Sequence, residues 1–268
     1  MGSSRPIQSV TNAELYNRWA KVYDTDGNIL QSVDDLMLPG LLDQVFTFLP
    51  SDQPITVTEL GCGTGRNTVK LLARSFPVPQ TTSIAALDLS PRMLAIAKER
   101  CEDYLKASTS NALQASPDID FHEFDALNPG LFPDIKALER KADLVLSTLV
   151  LEHLPLDTFF RNVKSFLKPA SGYILLTNMH ADMGCISQAG FVDEVTGEKI
   201  RGHSYAHEIS EVIEEGEKWG FEVVGEVGEK GIEANDIGRL VGERGKKWVG
   251  VNVWFGFVMR FAEMEKRA

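Results

Sequence analysis

Gly61, Gly63 and Gly65 follow the β-rich run Ile55-Thr56-Val57-Thr58 and precede the helical pattern Thr68-Val69-Lys70-Leu71-Leu72. A strand that breaks into alternating glycines before a helix lets a ligand touch bare backbone. The spacing is G-x-G-x-G, not the G-x-G-x-x-G of turns that hold a dinucleotide pyrophosphate, and the acidic Glu59 precedes it. A carboxylate there repels phosphate and attracts an ammonium group. Two further carboxylates, Asp88 and Asp125, close apolar runs at 83–87 and 119–124. Asp88 is placed to accept hydrogen bonds from both hydroxyls of a ribose, and Asp125 to accept from an exocyclic adenine amine. Each has a second reading: Asp88 as the cap of a helix beginning at Pro91, a role Ser90 can also fill, and Asp125 as the cap of a turn before Asn128-Pro129-Gly130.

These residues need a scaffold that gathers strand ends, and the patterning supplies one. Buried or alternating runs at 55–60, 83–87, 119–124, 142–146 and 172–177 alternate with amphipathic stretches after Gly65, at 91–106 and at 156–167. Pro91 sits at a favoured first helical position, and Phe76-Pro77 closes the helix after the glycines. Such alternation predicts a mainly parallel sheet with helices on both faces, whose ligands bind beyond the carboxyl ends of its strands. Upstream, Thr11 or Asn12 caps a helix running through Val22, and a second helix over 29–49 is interrupted at Pro39-Gly40. The first ten residues read as polar and loose, and 107–117 as a surface loop. Residues 178–206 show no periodicity, a helix follows at 210–219, and two strands at 222–227 and 249–261 close the chain.

The 268 residues, 43% hydrophobic, suit one α/β domain with embellishments. With 27 basic against 38 acidic residues the net charge is −11, which argues against nucleic acid or an anionic membrane surface as partner. Cys62, Cys101 and Cys185 are too few and scattered for a disulfide framework or a zinc site, and no Asp, Glu or His group has metal-ligand spacing. The start of the chain lacks an apolar signal core, and no stretch is long enough to span a membrane. A cytoplasmic location is expected.

Five blocks in this order resemble a known family: Glu59-Leu60-Gly61-Cys62-Gly63-Thr64-Gly65-Arg66-Asn67, Leu87-Asp88-Leu89-Ser90, Phe124-Asp125-Ala126, Ser147 through Leu154, and Leu167-Lys168-Pro169-Ala170-Ser171-Gly172. They are similar to the class I, Rossmann-like methyltransferases that use S-adenosylmethionine. The N-terminal Tyr16-Asn17-Arg18-Trp19-Ala20-Lys21-Val22-Tyr23-Asp24 is similar to the helix lying over the cofactor in small-molecule members, notably fungal enzymes of secondary metabolism. The resemblance implies a doubly wound seven-stranded, mainly parallel sheet with an antiparallel last strand, and N-terminal helices over 1–50 capping the cofactor site of a 51–268 domain. It implies that 179–206 is an insertion shaping the acceptor pocket.

Carried over residue by residue, Glu59, Gly61 and Gly63 meet the methionyl end of S-adenosylmethionine, Asp88 the ribose, and Asp125 with Ala126 the adenine. Arg66 or Asn67 reaches the cofactor carboxylate. Cys62 is a small residue beside the ligand, and Leu89, Met93, Ser147 and Thr148 complete the implied cofactor set. Tyr16, Trp19 and Tyr23 shield the sulfonium or, equally, form the core face of their helix. His153 and Glu152 follow the fourth strand, where methyl and acceptor meet, so they are the catalytic candidates for positioning or deprotonating a small, apolar substrate. His153 reads equally as a residue that only closes its loop. Two alternatives stay open: a methyltransferase-like binding or regulatory protein without turnover, and a nicotinamide-dependent oxidoreductase.

Overall fold

The computed structural model describes residues 6–74, 83–108 and 117–262. A short strand, β1 (Ile7–Ser9), leads into α1 (Asn12–Trp19) and the long α2 (Ile29–Phe48). There follow β2 (Thr56–Leu60), α3 (Arg66–Leu72), β3 (Ser83–Asp88), α4 (Pro91–Ser108), β4 (Asp118–Glu123), β5 (Leu144–Thr148), α5 (Leu156–Phe166) and β6 (Tyr173–Met179). The last part comprises α6 (Ala181–Gly184), β7 (Gly190–Val192), β8 (Lys199–Arg201), α7 (Ile209–Lys218), β9 (Phe221–Gly231) and β10 (Asn252–Phe261).

Seven strands form one sheet in the order β4-β3-β2-β5-β6-β10-β9. The five strands from β4 to β6 pair in parallel, and β10 inserts antiparallel between β6 and β9. Strand alternation sends neighbouring residues to opposite faces. Val145, Ile174, Leu176 and Phe257 thus pack with Phe159, Phe160 and Phe166 of α5, whereas Leu144, Leu146, Leu175 and Val258 pack with Leu38, Leu42 and Val45 of α2. Two apolar layers, one on each side, explain why apolar residues fall on both faces of the central strands.

Several expectations change. Residues 7–9 are not loose: they pair in parallel with β8, which pairs antiparallel with β7, so the aperiodic 178–206 stretch supplies two strands of a second, three-stranded sheet. These strands have three residues each, too short for a period to register. The first helix stops at Trp19, short of Val22. The second helix passes through Pro39 without a break, held by the burial of Leu38 and Leu42 on either side against the sheet. Residues 75–82 and 109–116, which hold Phe76-Pro77 and most of the expected surface loop, lie outside the described residues. Among the described residues no helix is long and apolar enough to cross a membrane, and Cys62, Cys101 and Cys185 are free thiols.

Helix α2 is fixed to the sheet by one fully buried carboxylate. Asp34 Oδ2 accepts from Arg66 Nη2 at 3.0 Å and Asn67 Nδ2 at 3.1 Å. Its Oδ1 accepts from Thr177 Oγ1 at 2.7 Å and Trp254 Nε1 at 3.1 Å. Arg66 also pairs with Asp35, as does Lys70. A buried charge tolerates removal from water only when its lone pairs are filled, as these are. Truncating it removes the acceptor from four donors, Arg66, Asn67, Thr177 and Trp254, and leaves Arg66 with Asp35 alone. Asp34→Ala is therefore expected to lower unfolding stability by about 3–5 kcal/mol in urea titration; a loss below about 1 kcal/mol would mean the donors find other partners.

Candidate active site at the switch point of the sheet

The chain builds β3 and β4 to one side of β2 and then crosses to β5 and β6 on the other, so the connections beyond β2 and β5 diverge and leave a crevice. The glycine turn lines it. Gly61 and Cys62 N–H groups both donate to Leu87 O, at 2.8 and 2.9 Å, and Gly63 N–H donates to Asp88 Oδ2 at 2.8 Å. Gly61 has φ +78°, and a Cβ there would stand 2.2 Å from Val150 Cγ2. At Gly65, φ +77°, a Cβ would stand 3.0 Å from the Ala97 backbone of α4. The turn is wedged between its neighbours at both ends, whereas no described atom lies within 4 Å of a Cβ on Gly63, the residue that borders the open cleft.

This cleft, about 760 Å³ of empty space, takes Gly61 and Gly63 from the turn, Asp88, Leu89 and Met93 after β3, Asp125 and Ala126 after β4, and Thr148 and His153 after β5. Asp88 Oδ1 also accepts from Ser90 N–H at 2.8 Å. Ser90 Oγ accepts from Met93 N–H at 3.2 Å and so caps α4, which leaves Asp88 to the glycine turn and the cleft. Burial raises the Asp88 carboxyl to about 6 even though the Ser90 and Gly63 amides pull it down. Asp125 accepts from Leu127 N–H at 2.9 Å and Asn128 Nδ2 at 2.8 Å, so its carboxylate caps the following turn.

A second chamber, about 730 Å³, adjoins the first; Tyr16, Tyr23 and Leu149 line both. Leu149 holds the left-handed conformation, φ +57°, without being glycine. The second chamber is walled by Trp19, Met179, Met183 and Trp248, with Glu152 among its lining residues. Trp19 is fixed by Nε1 donating to Asp26 at 2.9 Å and by stacking on Phe191 at 5.5 Å. Glu152 is buried, its Oε2 has no partner, and burial lifts its carboxyl to about 7.

His153 has both ring nitrogens engaged. Nδ1 lies 2.9 Å from His203 O, which can only accept, so Nδ1 carries the proton. Nε2 then accepts the Tyr16 hydroxyl at 2.6 Å. Burial lowers the imidazole to about 4 and raises the Tyr16 phenol well above its ordinary value, so the pair is neutral across physiological pH.

Five residues named from the sequence do not border either chamber. Glu59 is buried, with Thr68 Oγ1 donating to its Oε2 at 2.6 Å while Oε1 has no partner. Burial raises its carboxyl to about 8. Arg66 and Asn67 serve Asp34, and Asn67 Nδ2 also donates to Thr148 Oγ1 at 2.8 Å. Cys62 packs with Ala86, Leu94 and Ala97, and Ser147 is buried. Conversely, Leu149 and Val150 stood inside a matching block without a role, and Arg244, Lys247 and Trp248 lie in a stretch with no sequence signal for a site.

A family profile described as a methyltransferase domain matches residues 58–174. An uncharacterized methyltransferase of Emericella nidulans is 42% identical over 267 residues, covering 93% of this chain and 91% of that one. Among solved structures, a magnesium protoporphyrin IX methyltransferase from Synechocystis with bound SAH aligns with a TM-score of 0.57 at 13% identity, over 93% of this chain and 97% of its own. An S-adenosylmethionine dependent methyltransferase from Mesorhizobium loti aligns at 0.52 and 17% identity, over 83% and 96%. These structural likenesses speak to the fold.

Glu59, Asp88 and Glu152 all protonate more readily in the folded chain than in the unfolded one. Their contribution to stability is complete below their unfolded values near pH 4 and is lost as pH rises through about 6, 7 and 8. His153, lowered to about 4, works in the opposite sense below about pH 6.5, so the ligand-free protein should lose stability most clearly as pH rises from about 6.5 to 8, and Glu59→Gln should flatten that slope. Urea midpoints measured across this range check it; a stability that rises with pH would contradict the burial of these acids.

Proposed function

The chain belongs to the methyltransferase family, and we propose that it takes a methyl group from S-adenosylmethionine and passes it to an N, O or S atom of a small, largely apolar metabolite. We place this work in secondary metabolism and in the cytoplasm, with residues 1–50 as a cap and 179–206 as one wall of the acceptor chamber. The main support is Glu152, a buried carboxyl with an unpartnered oxygen on the wall of an aromatic-lined chamber that shares Tyr16 and Tyr23 with the glycine-bordered cleft.

The residues fit the cofactor. The buried carboxyl oxygen without a donor on Glu152, which lines the second chamber, suits a ligand that brings positive charge, as a sulfonium would. Asp88, at the open edge of the glycine turn, keeps spare lone pairs for the ribose hydroxyls. Asp125 fixes the turn that carries Ala126 and Leu127 to the cleft wall, the place for the adenine. Glu59 supports the turn from behind, held by Thr68, and Arg66 and Asn67 stiffen the start of α3. When bound, S-adenosylmethionine supplies an electrophilic methyl on its sulfonium, open to in-line displacement.

The chain's own work is to orient and to take a proton. Tyr16 and Tyr23 present aromatic groups where the two chambers meet, suited to a cation from which water is excluded. His153 holds the Tyr16 hydroxyl, so its part is to position that ring. Glu152 is the group able to accept a proton from an O–H, N–H or S–H acceptor, because it is near neutrality and has a free oxygen.

Three outcomes test this reading. Asp88→Ala should weaken S-adenosylhomocysteine binding about 10- to 100-fold by calorimetry, the loss of a charge-assisted contact, with an unchanged circular dichroism spectrum. Unchanged affinity would displace the ribose from Asp88. Once an acceptor is found, wild-type kcat/KM should climb with pH through about 7 as Glu152 ionises. Glu152→Gln should lower kcat about 10²- to 10⁴-fold. A flat pH profile would remove the proton-accepting role.

A further inference from the structure

Although the chain as a whole carries −11, the mouth of the second chamber is positive. Arg244 and Lys247, from the single turns of helix over Glu243–Trp248, both line it. Lys199 and Arg201, on β8, stand close enough for their charges and those of Arg244 and Lys247 to act on one another: burial first, then Arg201, Lys247 and Arg244, lower Lys199, and burial followed by Arg244 lowers Lys247. Arg201 borders the recess continuous with the chamber through Ser187 and Gln188.

Little in the protein answers this charge. Arg244 donates to Asp26 O and lies 3.9 Å from the Asp26 carboxylate, which is already engaged with Trp19 Nε1 and Asn28 N–H. Among the described residues, Lys199, Arg201 and Lys247 form no ion pair, Arg201 Nε is buried without a partner, and Lys247 Nζ lies 4.7 Å from the centre of the Trp248 ring. Cations gathered this way repel one another, and the arrangement gains most from an anion. On the same chamber, Glu152 offers an unpartnered oxygen that suits a donor hydrogen rather than an anion. The apolar surfaces of Met179, Met183 and Trp248 also line this chamber.

We propose that the acceptor is amphipathic: an apolar or aromatic body with a protic nucleophile turned to Glu152 and an anionic group, carboxylate or phosphate, held at the mouth by Arg244 and Lys247. This rests on the methyltransferase reading above and adds the charge of the substrate to it. It also separates the two anionic parts such a reaction must handle, since the cofactor's own carboxylate would sit in the other cleft.

Calorimetry on the full chain saturated with S-adenosylhomocysteine tests it. The probes are 4-hydroxybenzoate and 6-hydroxy-2-naphthoate, each set against phenol or 2-naphthol lacking the carboxylate, with 4-hydroxyphenyl phosphate to tell phosphate from carboxylate. At least one anionic probe should bind wild type about tenfold or more tighter than its neutral partner, and Lys247→Ala and the Arg244→Ala/Lys247→Ala double variant should erase that difference. The Lys247 variant keeps the Arg244–Asp26 contact, which guards against a merely structural effect. Equal binding of charged and neutral probes, binding of none, or a preference that survives both variants overturns the inference. So does a loss of S-adenosylhomocysteine affinity in the variants, which would assign the cations to the cofactor. Failure of wild type to bind S-adenosylhomocysteine at all, seen first by thermal shift, would instead remove the methyltransferase reading beneath it.

Discussion

The site depends on one buried carboxylate that never touches it. Asp34 collects donors from α3, β6 and β10 onto α2. Through Asn67 the same network reaches Thr148 at the end of β5. The helix that follows the glycine turn, the strand after which the chamber residues emerge, and α2 are therefore held in one register. A saturated buried charge is a directional constraint: it costs free energy unless every partner is in place, so it tolerates few arrangements. Hydrophobic packing on the same helix would accept small slides that the cleft could not.

From that frame the division of labour around the crevice follows. Asp88 holds Gly63 and Ser90, so the group expected to meet a ligand also shapes the turn beside it. Tyr16 stands between the two chambers and is anchored by His153, whose own orientation is set by a carbonyl from the 199–206 region. The wall formed by β1, β7 and β8 thus bears on the junction through a chain of two hydrogen bonds. Residues distant in sequence are linked here by direct contact.

How much of this could be read from the chain alone depended on the range of the signal. The central strands, the glycine turn and the acids at the ends of β2, β3 and β4 were legible because each is written locally, in an apolar run closed by glycine or carboxylate. The same local reading placed Glu59 and Arg66 beside a ligand. It could not foresee that Arg66 would be drawn to Asp34 and Asp35, 32 and 31 positions away, because an ion pair between helices leaves no periodic trace. The small sheet was invisible for a related reason: three-residue strands have no pattern, and β1 finds β8 across most of the chain. His153 was visible as a candidate, but its engagement by Tyr16 and by the His203 carbonyl arises only in three dimensions.

Leu149 sits where β5 gives way to the chamber segment, with a backbone that glycine would adopt at lower cost. The strain, about 1–2 kcal/mol, has a counterpart in what the isobutyl group covers, for Leu149 borders both compartments. A glycine would relax the main chain and strip away an apolar surface common to both compartments. The unfavourable torsion is thus set against a side chain that two neighbouring cavities use at once.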